Sequence, residues 1–212
     1  MSLITDIELI RIEPSIFIDA PNAATTLLSA ADGAVSGTTL TSAGSDFAAA
    51  GIDAGHVAVV GNEAIEIDER LSATTLAVSR PRTSSTEEKI DPTQGTGLAI
   101  TVRTFARLIE EEQLMILAAL GENPTDPDAP IEESQILNVA DIGRLIALRT
   151  IAQAFAVAAA ADPSDLSLAQ RWNVYRSRAR QAMHHTAVRL DFDGDGIADA
   201  TRRVDIVIFT RL

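Results

Sequence analysis

The chain of 212 residues contains no cysteine, which excludes a disulfide framework, a zinc–thiolate site and a thiol nucleophile. Aromatic residues make up 4% of it, with one tryptophan and one tyrosine, although 46% of its residues are hydrophobic. The core must therefore be assembled from alanine, isoleucine, leucine and valine, and the apolar content is too high for general disorder. No apolar run approaches the ~20 residues of a membrane span. The opening Met1-Ser2-Leu3-Ile4-Thr5-Asp6 lacks the basic start and long apolar centre of a signal peptide. Positive charge is scarce too. Seventeen Lys and Arg stand against 30 Asp and Glu, a net of −13 and a pI near 4.5. That argues against a free-standing nucleic-acid binder, which neutralises phosphates with a basic surface. A glycine-rich phosphate loop, a nucleophile elbow and a metal-protease helix are also missing. His184 and His185 are adjacent, so on a helix they diverge, and His56 stands alone. The chain reads as a non-enzyme.

The strongest periodicity lies in residues 138–189. Ile142, Leu145, Leu148, Ala152, Phe155 and Ala159 mark one apolar stripe, and Leu168, Trp172, Tyr175, Ala179, Ala182 and Thr186 mark a second. Between them, Asp162 can cap, Pro163 suits a first helical turn, and Asp165 favours the positive helix end. So short a link predicts a long antiparallel helical hairpin, with Trp172 and Phe155 anchoring its core. The second helix carries Arg171, Arg176, Arg178 and Arg180. Residues 1–137 hold 22 acids and 7 bases, whereas residues 138–212 hold 8 acids and 10 bases. Such asymmetry predicts that these four arginines meet an acidic protein surface, on another copy or on a partner.

Elsewhere Thr5 and Glu8 form a capping box for a helix over 5–12 that Pro14 ends. Residues 16–103 change to Thr, Ser, Gly and Ala with short β-type runs at 26–29, 34–41, 56–60, 64–68, 74–79 and 98–102, separated by turn signals. This predicts an inserted small antiparallel β-domain, a barrel or a sandwich. Residues 82–96 read as an exposed loop. A helix over 104–120 carries Glu110, Glu111 and Glu112, read as a solvated face. Residues 122–130 form a linker, 131–137 a short helix, and 204–212 a closing strand. The predicted class is α+β. A helical bundle core from 1–15 and 104–212 ends in a C-terminal strand or hairpin, with the β-domain inserted.

The sharpest local motif is Asp191-Phe192-Asp193-Gly194-Asp195-Gly196-Ile197-Ala198-Asp199. Carboxylates at alternate positions converge on one hard cation, glycine permits the sharp turn, and Ile197 offers its carbonyl. Asp191, Asp193, Asp195, Ile197 and Asp199 are thus candidate calcium ligands. Position twelve, a bidentate Glu in a full calcium loop, is Arg202 here. A tight Asp-Gly turn joining two strands explains the same residues without metal. No cofactor is required by anything else in the chain.

Several stretches share features with one family. Asp6-Ile7-Glu8-Leu9-Ile10-Arg11-Ile12-Glu13-Pro14 is similar to its opening helix. Residues 39–60, with Ser42-Ala43-Gly44-Ser45-Asp46-Phe47 and Gly51-Ile52-Asp53-Ala54-Gly55, are similar to a β-module of phage structural proteins. Arg171-Trp172 followed by Tyr175 is similar to the aromatic signature of the family's long helix, and residues 191–199 with Arg202 to the tail of some members. Taken together, the chain resembles the head-to-tail adaptor (connector, neck) proteins of tailed bacteriophages and gene transfer agents. The resemblance implies a structural virion protein, made in the host cytoplasm and placed in the head–tail neck. It implies a ring, usually of twelve copies, docked on the portal protein above and on tail or neck proteins below. Genome DNA would pass through the centre without sequence readout, and no membrane or catalytic residue is involved. The β-module is larger than the adaptor core requires. The residues alone also support a second reading, a calcium-binding surface or adhesion module built on the β-domain and the aspartate loop.

Overall fold

The computed structural model describes residues 3–121 and 131–204. Helix α1 (Asp6–Ile12) starts at Thr5, whose hydroxyl accepts from the Ile7 N–H while Glu8 reaches back to the Thr5 N–H at 2.7 Å. Two of the free donors at the helix start are thereby satisfied. After Pro14 the chain makes a single-turn helix α2 (Ile16–Asp19) and a 3₁₀ turn over Pro21–Ala23. Residues 16–23, which composition groups with the β-region, are therefore helical.

Six strands follow: β1 (Thr25–Ser36), β2 (Thr39–Ser42), β3 (Val57–Val60), β4 (Glu63–Ser72), β5 (Thr75–Ser79) and β6 (Gly95–Thr104). They close into an antiparallel barrel in the order β1-β2-β5-β4-β3-β6. Closure falls to β1, which pairs with β6 from Thr25↔Thr104 to Val35↔Gly95 through three register shifts, and with β2 at its far end. Those bulges give the strand the bend that a small barrel needs, and closure leaves no free edge. Leu40, Phe47, Ile52, Ile65, Ile67, Leu76, Val78, Ile100 and Val102 fill the interior.

Strand β3 explains how the barrel joins the rest. Its four residues Val-Ala-Val-Val are all buried. Ala58 and Val60 point into the barrel, while Val57 and Val59, with Ala64 of β4, belong to the helical core. Alternation along the strand thus puts apolar side chains on both faces. Helices α1 and α2 lie on this outer face, and Phe17 packs edge-on against Phe105 with ring centroids 5.0 Å apart.

The remaining helices are α3 (Ala106–Ala119), α4 (Val139–Ala161) and α5 (Leu166–His185). Helix α4 is the hub, in contact with α1, α2, α3, α5 and the 3₁₀ turn. Its length and composition would suit a membrane span, yet two-thirds of the apolar window is buried inside the protein. Gly143 lets the N-terminal segment come close, since a Cβ there would stand 2.8 Å from Ile4 Cγ2. Helix α5 runs back along α4, as the stacked Phe155 and Tyr175 and the Arg149 contact to Met183 show. Its N-cap is Asp165, which accepts from the Ser167 N–H, and not Asp162.

The expected helical bundle core is corrected by this arrangement. Helices α1 and α2 have only seven and four residues, too short to complete a bundle around α4. The side they leave open is closed by the barrel wall, so one continuous apolar cluster runs from Val57 and Val59 to Leu168 and Tyr175. Among the described residues the molecule is α+β, with five helices and a closed six-stranded antiparallel barrel. After α5, β7 (Ala187–Leu190) and β8 (Ala200–Arg203) form a separate hairpin, which Asn138 ties to the start of α4 through Ala187 O and the Arg189 N–H. The predicted closing strand lies, apart from Val204, outside the described residues, as does the 122–130 linker.

Candidate functional site

Two features carry the candidate chemistry, and both lie in the C-terminal third. The first is the turn between β7 and β8. Leu190 pairs with Ala200, so residues 191–199 must reverse the chain in nine positions. Gly194 and Gly196 supply φ of 78° and 84°, a region other residues rarely enter. Asp191 organises the turn by accepting from the Gly194 and Gly196 N–H groups, each at 2.7 Å. Asp195 accepts from Ile197 at 2.7 Å and Asp199 from Phe192 at 2.7 Å. Carboxylate oxygens of Asp191, Asp193 and Asp195 lie within 4.8 Å of one another, a group that could hold a metal ion.

The electrostatics of the loop follow from this geometry. The Gly196 and Gly194 N–H groups hold the Asp191 carboxyl below the usual range, since both favour its charged form. Asp193 accepts from the Asp195 N–H, which favours its charge. Desolvation and the nearby Asp195, Asp199 and Asp191 outweigh that bond and push it up. Four carboxylates crowd one turn, and a cation would relieve them. Arg202, standing where a full calcium loop has its bidentate Glu, bonds the Leu120 carbonyl at the end of α3 and lies 5.9 Å over the Phe192 ring. It therefore contributes no oxygen to this group.

The second feature is the set of exposed arginines of α5, which lie on two sides of the helix. The four arginines singled out by the sequence divide. Arg171 is spent inside the chain, on Asp19 at 2.6 Å, on Ser15 and on Glu13, and so pins α5 to the α1–α2 corner. Arg176, Arg178 and Arg180 are exposed and make no ion pair among the described residues. Arg176 lies 5.4 Å over Trp172 and Arg178 5.2 Å over Tyr175, contacts that hold the guanidinium planes without neutralising them. Trp172 is only partly buried and lines a groove of about 370 Å³ with Arg176, Arg180, Ala156 and Met183. The residue that fills the hairpin core is Tyr175, 4% exposed, stacked on Phe155 and donating its hydroxyl to Glu13 at 2.8 Å. Burial and that bond push the Tyr175 hydroxyl up to about 12.

Compared with protein-family models, curated proteins and solved structures, the chain matches none.

Three buried charged residues were not legible in the sequence. Arg82, placed there in an exposed loop, is 5% exposed, and Glu66 is 0% exposed. Glu66 accepts from Arg82 Nε at 3.1 Å, Nη2 at 3.0 Å and N at 3.1 Å, and from Arg11 Nε at 2.7 Å. Glu112, read as part of a solvated run, is likewise buried and paired with Arg149 of α4. An alternating strand such as Glu63–Ser72 gives no hint of which outward acid will be covered.

Proposed function

We propose that this chain is a structural protein of the tailed-phage neck, a head-to-tail adaptor that closes into a ring, of twelve copies by the family resemblance. The ring docks on the portal, receives tail or neck proteins below, and lets genome DNA pass without sequence readout. The reading assigns no catalytic role and no membrane. The observation that carries it is the set of exposed arginines on α5, Arg176 and Arg180 on one side of the helix and Arg178 on the other. Arg176, Arg178 and Arg180 stand in a chain of net charge −13 yet have no carboxylate partner in their own chain among the described residues. Exposed arginines without a carboxylate in their own chain are stabilised by external acidic surfaces, and an acidic exterior elsewhere lets DNA slide without sticking. Imaging of particle necks, with native mass measurement of the isolated portal complex, tests the reading. The expected result is a closed ring containing this chain. A chain absent from particles, or monomeric within them, refutes it.

The finer proposal for the aspartate turn is calcium. Asp191, Asp193 and Asp195 are the grouped carboxylates, and with Asp199 and the Ile197 carbonyl drawn in they would make an all-oxygen donor set suited to a hard cation. Without a bidentate Glu, affinity should fall in the weak range of about 10⁻⁴–10⁻³ M. Calcium there would fix the β7–β8 hairpin on which the α4 start rests. This loop is also the observation that favours the second reading, a calcium-dependent surface module. Display of the chain on an exterior surface, with adhesion that chelation abolishes, would favour that module over the neck.

A further inference from the structure

The described bases and acids are not merely unequal in number along the chain; they differ in how far they are used. All seven bases before residue 138 are engaged internally. Arg11 and Arg82 hold Glu66, Arg70 holds Asp53, Arg80 holds Glu63, Lys89 holds Asp68, Arg103 donates to Phe17 O and Arg107 pairs with Glu111. What the barrel and α3 leave over is acidic. Glu69, Glu88, Asp91 and Glu110 are exposed with no ion pair among the described residues. The helical hairpin and β7–β8 leave over exposed arginines, among them Arg144, Arg176, Arg178, Arg180 and Arg189, and exposed aspartates without an ion pair lie at the link between the helices and in the 191–199 turn.

Part of that surplus lies in one place. A cleft of about 1480 Å³ runs between α4, α5, β7 and α1, and Arg144, Arg178, Arg189 and His185 line it. Arg144, Arg178 and Arg189 are exposed and without an ion pair among the described residues. Arg11 also lines the cleft but is committed to Glu66, and Asp141, held by the Asn138 amide at 3.0 Å, is the one carboxylate in the lining.

We infer that this cleft is the acceptor half of a head-to-tail contact between two copies of the chain, and that the donor half is the acidic barrel surface carrying Glu69, Glu88 and Asp91. The inference rests on the proposed self-assembly and names the surfaces that would make it. Complementary halves on different parts of one protomer make a heterologous contact, which closes into a ring when its rotation allows. Arginine suits the role because its planar fork meets carboxylates bidentately. A nucleic acid is the less fitting occupant, since the net charge of −13 repels a polyanion at long range and Asp141 stands inside the cleft.

The test is a charge swap. One variant carries Arg144→Glu and Arg189→Glu, the other Glu88→Arg and Asp91→Arg. All four sites are exposed and unpaired, and thermal melts check that both variants fold. Sedimentation velocity at ~50 mM salt should show wild type associating with rising concentration and dissociating near ~1 M, where screening shortens to about 3 Å. Each variant alone should stay monomeric, because its two halves now carry the same sign. Their equimolar mixture should associate again, with the two kinds alternating. Wild type that stays monomeric at ~1 mM, or a mixture that fails to recover association, overturns the inference. Duplex DNA binding by monomeric wild type that the arginine variant loses overturns it in favour of nucleic acid. A recovered mixture without a ring in particles leaves the contact standing and refutes the neck reading. A neck ring indifferent to both variants does the reverse.

Discussion

Replacing Glu66 tests whether one buried carboxylate couples the barrel to the helices. Glu66 stands on the outer face of β4, has no solvent exposure, and accepts from two guanidinium groups and the Arg82 N–H. Through Arg11 it binds α1; through Arg82, which also meets Asp68 and donates to Glu87 O at 3.0 Å, it fastens residues 80–91 to the barrel. In Glu66→Ala the Arg82 side chain, 2% exposed, loses its main counter-charge but cannot reach water. Breaking a buried pair from one side costs about 3–5 kcal/mol when the remaining charge is left without compensation, and Asp68, still facing Arg82, holds the loss near the lower end of that range. For a chain of this size that is a fall of roughly 10 °C in melting temperature. Arg11, 17% exposed, can turn outward, so the loss should concentrate at Arg82. The double variant Glu66→Met/Arg82→Met removes both charges and should be less destabilised than the sum of its single variants, by more than ~1 kcal/mol. Denaturant unfolding of wild type, Glu66→Ala, the two single Met variants and the double variant measures this. A loss below ~1 kcal/mol for Glu66→Ala, or strict additivity in the cycle, would refute the coupling.

Asp6, 3% exposed, accepts from the Phe105 N–H at 2.8 Å, and its burial pushes its carboxyl up to about 6 from 3.8. Between those values the folded chain holds a proton that the unfolded chain has lost, so Asp6 lowers stability as pH rises through 3.8 to 6. Asp6→Asn should therefore match wild type near pH 4 and exceed it by about 3 kcal/mol at pH 7, and an equal gain at both pH values would refute this. Tyr175→Ala should cost about 3–5 kcal/mol, and the part-exposed Trp172→Ala less than half as much; the reverse order would mean that Trp172 anchors the hairpin after all. Millimolar calcium should raise the melting temperature of wild type but not of Asp193→Asn with Asp195→Asn, and calorimetry with magnesium should show weaker binding.

The features that the sequence by itself determined are those whose physics is local. A capping box spans four residues, so Thr5 and Glu8 announced α1, and Pro14 its end. Stripes of period 3.6 marked α4 and α5, and the four-residue link required their reversal. The aspartate turn was legible as a reversal, because alternate carboxylates and two glycines favour a folded-back loop without help from the rest of the chain, whereas of the candidate carboxylates only Asp191, Asp193 and Asp195 are grouped. The charge surplus of each half was also a count.

Tertiary structure decided whatever depended on residues far apart. Strand β1 meets β6 some seventy positions later, and no local signal distinguishes a barrel closed by that pairing from an open sandwich. Val57 to Val60 read as a strand, but only the docking of α1 and α2 made both its faces interior, which is why a helical bundle was expected where the barrel wall stands. Trp172 and Tyr175 share one stripe, three residues and about 60° apart, and a small rotation of α5 placed the smaller ring inside. Glu66 and Arg82 became a buried pair because a segment sixteen residues on folded back over β4. The same holds for the arginines. Charge is written in the sequence, but whether Arg171 is spent on Asp19 while Arg178 is left for a partner depends on which carboxylates the fold brings within reach.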